Sequence, residues 1–278
     1  MMTEARPSPR AAYEPGAPTE VVLEAAKLTK VYRSSAAGAA HVALDAFDLR
    51  VVAGEFVGVM GPSGSGKSTL LNLLATIDTP SSGAVRIGGV DPAGMNPTDL
   101  ARFRRHRLGF VFQDYNLLES LSVRENILLP LVLDRVPLAD MRARLADVAA
   151  LLGIEDLLDR RTHEISGGQQ QRTAIARALV SSPDVILADE LTGNLDSRAA
   201  FAVMELLRRL NEERGVTILM VTHDPFAASF CRRVVFIKDG RPHSELRRAG
   251  QRQAFFQQVI DNLSVLGGDP RDVPAARL

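Results

Sequence analysis

The stretch "EFVGVMGPSGSGKSTLLNLLATI", residues 55–77, decides the fold. It opens as an apolar, β-branched run that reads as a strand and closes as a leucine-rich run that reads as a helix. Between them, residues 61–69 form a glycine-rich turn with Gly61, Gly66, Lys67 and Ser68 at the spacing of a phosphate loop. The strand before and the helix after supply the context that this pattern requires. Gly61, Gly64 and Gly66 let the backbone come close to phosphates and reach unusual dihedrals. Lys67 can reach the β- and γ-phosphates, and the Ser68 hydroxyl can ligate Mg²⁺. The whole loop is the candidate nucleotide grip: Gly61, Pro62, Ser63, Gly64, Ser65, Gly66, Lys67, Ser68 and Thr69.

A second anion site follows about a hundred residues later. "ISGGQQQRTAIARAL", residues 165–179, begins Ser166, Gly167, Gly168, Gln169 and continues as a helix. Backbone N–H groups at such a start point outward and carry partial positive charge. One domain with two phosphate grips needs a reason.

Other chemistry sits at strand ends. "VILADE" is an apolar strand closing on Asp189 and Glu190. Beside a phosphate loop, Asp189 is placed to hold Mg²⁺ directly or through water, and Glu190 to polarise a water for attack on the γ-phosphate. His223 ends "VTILMVTH" and is a candidate contact to the γ-phosphate or that water, because ligands bind at the carboxyl edge of parallel sheets. Gln113 ends "LGFVFQ" and is placed to reach Mg²⁺ and the water.

Outward from these motifs, strand patterns alternate with helical ones, which argues for a mostly parallel α/β sheet. Residues 21–32 and 42–60 read as strands around an Ala-Gly loop at 34–40, and "AVRIGG" and "RVVFIKDG" add two more. Residues 114–165 read as a helical subdomain, with Met141, Leu145, Val148 and Leu152 on one helix face. "SRAAFAVMELLRRLNEER" is an amphipathic helix closed by Gly215. Residues 1–20 read as a disordered tail with no apolar stretch of a signal peptide. Residues 241–278 read as an extension with one amphipathic helix that places Phe256, Val259, Ile260 and Leu263 on one face.

Bulk properties narrow the classes. The 278 residues carry 33 Lys+Arg against 33 Asp+Glu, so the basic footprint of a nucleic-acid binder is missing. The locally basic "RFRRHR", residues 102–107, lacks interleaved aromatics and reads as a solvated face. Cys231 is the single cysteine, so no intrachain disulfide forms, and a small buried hydrophobe in a reducing cytosol fits it. No window holds the roughly 18 consecutive apolar residues of a membrane helix.

The phosphate loop, Gln113, "ISGGQ", "VILADE", "GNLD" at residues 193–196 and His223 occur in the order that resembles an ATP-binding cassette (ABC) ATPase. The resemblance covers about residues 21–240. It implies a phosphate-loop, RecA-like core with an antiparallel β subdomain and an inserted α-helical subdomain. It also answers why there are two grips. In that family two cassettes pair head to tail, and each ATP lies between one chain's phosphate loop and the other chain's "SGGQ". By the same resemblance Tyr32 would stack on adenine, and Asp196 would sit in the loop that communicates across the dimer.

"IDTP", "QDYNLLESLSVRENILLPL" and the segment from "VFIKDG" to "VLGG" resemble the bacitracin-type peptide-antibiotic transporters, within the macrolide-export and lipoprotein-release branch. That implies a homodimer on the inner face of the membrane, a separate ten-span permease, and a sensor histidine kinase acting through it. Macrolide-export, lipoprotein-release or cell-wall-hydrolase-regulating complexes are the alternative within the family. A soluble non-transport ABC ATPase is the alternative outside it, although neither a second cassette nor a coiled-coil insertion is present. One departure stands out: the family usually has Pro after the catalytic Glu, and here it is Leu191. Leucine restores backbone freedom and an N–H, so Glu190 is expected to be held less rigidly and turnover to be slower.

Overall fold

The computed structural model describes residues 20–33 and 40–267. The tail at 1–20 (except Glu20), the Ala-Gly loop (except Ala40) and the last residues of the C-terminal extension lie outside the described residues.

Two sheets organise the chain. The larger runs β5-β6-β7-β3-β8-β9 and the smaller β2-β1-β4. In the larger, β3 (Phe56–Met60), β5 (Leu108–Val111), β6 (Val185–Asp189), β7 (Ile218–Thr222) and β8 (Arg233–Lys238) are parallel, and β9 (Arg241–Arg247) runs antiparallel on β8. In the smaller, β1 (Val21–Arg33) pairs antiparallel with both β2 (Ala40–Val52) and β4 (Ser82–Ile87). An α/β phosphate-loop core with an antiparallel sheet is therefore present, as the family resemblance implies.

β3 and β7 are buried along their whole lengths, which explains their unbroken apolar runs. Alternation along β3 sends Phe56 and Met60 to one apolar cluster and Val57 and Val59 to the other. The first cluster takes in α3 (Val123–Leu133), α4 (Leu138–Leu152), α5 (Gly167–Leu179) and α6 (Ser197–Arg214). The second holds α1 (Lys67–Leu74) against the antiparallel sheet.

Local chemistry sets the helix ends. Ser122 and Glu125 form a capping box at the start of α3. Gly215 closes α6 in the left-handed conformation at φ 64°, which a glycine adopts without a Cβ clash. On α4, Leu145, Val148 and Leu152 are buried and Met141 partly so, the face that the spacing predicts.

Three elements escape the sequence reading, among them the four-residue helix Pro225–Ala228. Residues 97–107 form α2 (Pro97–Arg107), capped by Asn96, of which sequence reading marked only the basic end. Those basic residues are engaged: Arg105 and His106 pair with Asp134, Arg107 with Asp184, and Arg104 donates to the Thr76 carbonyl.

The C-terminal extension also differs from expectation. It begins with β9, whose polar residues carry no apolar alternation because an edge strand buries little. The helix that follows, α8 (Arg252–Val265), buries Phe255 and Val259, followed by Leu266. Phe256 and Ile260, expected on the buried face, are only partly covered. The i, i+4 pair 255 and 259 faces inward and shifts the face by one residue.

Candidate nucleotide site

Strand register builds the site. Met60 lies beside Thr222, and Val221 lies beside Asp189. The residues that follow these strand ends, Gly61, Glu190 and His223, therefore emerge together at one carboxyl edge. Gln113 follows two residues after β5, which pairs with β6 through Val111 and Ala188.

The phosphate loop has two kinds of glycine. Gly66, at φ 103°, is left-handed and caps α1, and a Cβ there would lie 2.4 Å from the Ala43 carbonyl oxygen. Gly61 has no positive φ; its missing side chain instead leaves room for the Ile237 carbonyl oxygen, which a Cβ would approach to 2.2 Å. Lys67 is buried and folded over the loop, donating to the carbonyls of Gly61 and Pro62 at 2.8 and 2.9 Å.

Glu190 and His223 form the centre of the edge. His223 Nδ1 lies 2.7 Å from a Glu190 carboxylate oxygen. That hydrogen bond holds the Glu190 carboxyl below its ordinary pKa and raises His223 above its own. Asp189 moves the other way: burial first, and then the neighbouring Glu190 charge, raise it. Glu190 also has φ 42°, a left-handed conformation that costs a non-glycine residue energy and that clusters at functional sites. Its backbone is tied at both ends, by its N–H to the Val221 carbonyl and by the Gly193 N–H to its own carbonyl.

The remaining candidates divide. The Gln113 side chain lies against Gly193. Tyr32 is 41% exposed on β1; its hydroxyl donates to Asp78, and the Lys30 ammonium sits 5.0 Å from its ring centre. Asp196 caps α6 by accepting from the Ala199 N–H. Ser166 and Gln169 close a capping box at the start of α5, where Gly167 and Gly168 open the helix. α5 packs on α3, α4, α6 and β5, whereas α1 packs on β2, β6 and β7. The two grips therefore belong to different neighbourhoods of the fold.

Two residues that sequence reading passed over hold the backbone around Gln113. The Asn194 amide donates to the Gln113 carbonyl and to Asp114. Arg177, on α5, donates to the carbonyls of Tyr115 and Asn116, both of which are left-handed, at φ 59° and 47°. A charged residue flanked by Ile175, Ala176, Ala178 and Leu179 was the available signal.

The loop and its surroundings fit a nucleotide and a divalent cation. The Ser65 hydroxyl is buried with no hydrogen-bond partner among the described residues, a donor suited to a phosphate oxygen. Gly64 has open space where a Cβ would stand. Ser68, Gln113 and Asp189 offer hydroxyl, amide and carboxylate oxygens, the donor set that Mg²⁺ prefers.

Comparison with known proteins then names the family. The family model described as ABC transporter matches residues 44–193. The chain is 59% identical over 248 residues to an uncharacterized ABC transporter ATP-binding protein, YvcR, of Bacillus subtilis, covering 89% of this chain and 96% of the relative. It is 46% identical over 252 residues to the bacitracin export ATP-binding protein BceA of Halalkalibacterium halodurans, covering 90% and 99%. Among solved structures it resembles a dimeric post-hydrolysis state of the ATP-binding cassette MJ0796 bound to ADP and Pi, with TM-score 0.73 and 38% identity over 82% of this chain and 100% of that one. With that motif order, fold and identity, the chain belongs to the ABC transporter family, as an ATP-binding and ATP-hydrolysing subunit.

Proposed function

We propose that this subunit works as a head-to-tail homodimer on a separate membrane permease, peripheral on the cytoplasmic face, in the export, detoxification or sensing of peptide antibiotics. The observation that carries the dimer is the separation of the two grips. α5 starts in a well-capped anion site, yet its packing partners are not those of α1. A second copy lets Ser166, Gly167, Gly168 and Gln169 close over the nucleotide held by residues 61–69 of the first. The dimeric MJ0796 cassette supports this arrangement. Among the described residues no helix is long and apolar enough to cross a membrane. The likeness to a bacitracin export ATP-binding protein supports the peptide-antibiotic reading; the ten-span permease and the histidine kinase rest on the resemblance of the sequence motifs alone.

In this reading each residue has one task. Lys67 leaves the carbonyls of Gly61 and Pro62 for the β- and γ-phosphates. The Ser65 hydroxyl takes a phosphate oxygen, and Tyr32 stacks on adenine. Ser68, Gln113 and Asp189 would hold Mg²⁺, which would neutralise phosphate charge. Glu190 accepts the proton of the attacking water. His223 keeps that carboxylate ionised until it turns to the γ-phosphate, and Asp196 relays across the interface.

The test is a pull-down of tagged Glu190→Gln chain from native membranes in Mg-ATP. A permease of about ten spans with a large extracytoplasmic domain supports the peptide-antibiotic reading. A four-span permease moves it to the macrolide, lipoprotein or cell-wall branch. Ribosomal or DNA-bound partners without any membrane protein would overturn transport.

A further inference from the structure

The C-terminal helix touches the nucleotide site through one short element. Immediately after His223, Asp224 caps α7 (Pro225–Ala228), accepting from the Phe226 N–H at 2.9 Å. The other oxygen of the same carboxylate accepts from the Thr192 hydroxyl at 3.2 Å. Thr192 lies two residues after Glu190. Asp224 therefore ties the His223 segment to the Glu190 segment a second time, behind the 2.7 Å contact between the two side chains.

α7 is only four residues long, so its position is set by its packing: Ala227 and Ala228 are buried in the larger apolar cluster, and α7 contacts β3, β7 and α8. α8 adds a polar and cationic clamp. Arg252, the first residue of α8, lays its guanidinium 4.5 Å from the ring centre of Phe230 and 5.5 Å from that of Phe226. It also donates to the Ser229 hydroxyl at 3.1 Å, and that hydroxyl in turn donates to the Phe226 carbonyl at 2.7 Å. Phe226 and Phe230 meet edge to face at 5.3 Å. Ser229 and Phe230 are fully buried, so the cation seals a desolvated cluster, where such contacts are strongest.

We infer that Arg252 is a positioning residue for ATP hydrolysis, acting through α7 and Asp224 to hold the backbone that presents His223 to Glu190. The C-terminal extension is thus part of the catalytic scaffold. The inference rests on the reading that Glu190 and His223 carry hydrolysis. It predicts a rate effect without a binding effect, because α7 touches neither the phosphate loop nor Tyr32 in the contacts above.

The test is steady-state ATPase of the full chain with Mg-ATP for the wild type, Arg252→Ala, Arg252→Lys and Ser229→Ala, with Tm measured in parallel. Arg252→Ala is expected to lower kcat about 3- to 10-fold with KM for ATP within about twofold. Arg252→Lys keeps a cation over the rings and one donor for Ser229, and is expected to return kcat to within about twofold of the wild type. Ser229→Ala removes only the hydroxyl and is expected to fall in between, which keeps the test open if Arg252→Ala does not fold. Unchanged kcat in a folded Arg252→Ala chain overturns the inference. A lower Tm with kcat and KM moving together, and no recovery in Arg252→Lys, also overturns it, because that is a structural role alone. Glu190→Gln is run alongside. If it keeps full activity, the catalytic reading itself has failed; if it is inactive while Arg252→Ala is unaffected, only the present inference has.

Discussion

Glu190 shows how much one side-chain contact sets. His223 lowers its pKa, and it raises that of His223 in return. Because the Glu190 pKa is depressed, its part in the pair's stability is present above the ordinary carboxyl value and is lost as pH falls through the lowered one. Because the His223 pKa is raised, its part is present below the ordinary imidazole value and is lost as pH rises through the raised one. The pair is thus charged on both sides across the interval between. His223→Ala is expected to move the acid limb of the kcat–pH profile upward, toward an ordinary carboxyl, and to lower kcat about 10²-fold or more. An unmoved limb shows that the profile reports another group.

Leu191 is the second residue-scale question. Sequence reading expects it to leave Glu190 loose. The structure buries Leu191 to 2% exposure in the larger apolar cluster, and the Glu190 backbone is bonded at both ends. The leucine supplies its own anchor. Leu191→Pro is accordingly expected to lose about 1–3 kcal/mol of stability in denaturant titration, with no gain in ATPase rate. A faster variant of equal stability would restore the first expectation.

At the scale of elements, one buried arginine joins four strand segments. Arg233, on β8, is 7% exposed and forks onto Glu55 just before β3, at 2.6 and 2.9 Å. It also donates to Glu245 on β9 and to the Arg50 carbonyl on β2. Glu55 is itself 3% exposed, so removing the arginine strands a charge. Arg233→Met is expected to cost about 3–5 kcal/mol, and the double variant Arg233→Met/Glu55→Leu to recover part of that loss. Thermal melts of the two decide it. Equal loss in both would mean that packing, not the stranded carboxylate, sets the cost. The same network explains why polar β9 stays on the sheet edge without an apolar face.

At the scale of the whole molecule, the two grips predict how copies combine. If each site needs Lys67 of one chain and Ser166 of another, Lys67→Ala and Ser166→Arg chains are each inactive alone. Mixed, they form dimers in which one site is doubly disabled and the other intact. ATPase is expected to reappear on mixing, and to follow the fraction of mixed dimers. No recovery at any ratio would mean that one chain completes its own site, or that a single intact site does not turn over.

Some of this was legible in order along the chain, because it is local. A strand, a glycine-rich turn and a helix follow one another in residues 55–77, and Gly66 and Lys67 act within a few residues of themselves. Asp189, Glu190 and His223 could be placed at strand ends because buried apolar runs, four residues in β6 and five in β7, stop there. The capping box of Ser166 and Gln169 is likewise a three-residue contact. What the sequence by itself determined, then, was most of the elements and the candidate chemistry at their ends. The tertiary structure alone decided which ends meet. It brought His223 to Glu190, placed Arg233 on Glu55 across 178 residues of chain, and made Gly61 necessary through the neighbouring β8 carbonyl. It also turned Phe255 rather than Phe256 inward and set Arg252 over Phe230. Those contacts follow from sheet order and helix rotation, which every buried side chain sets jointly and no short window of sequence encodes.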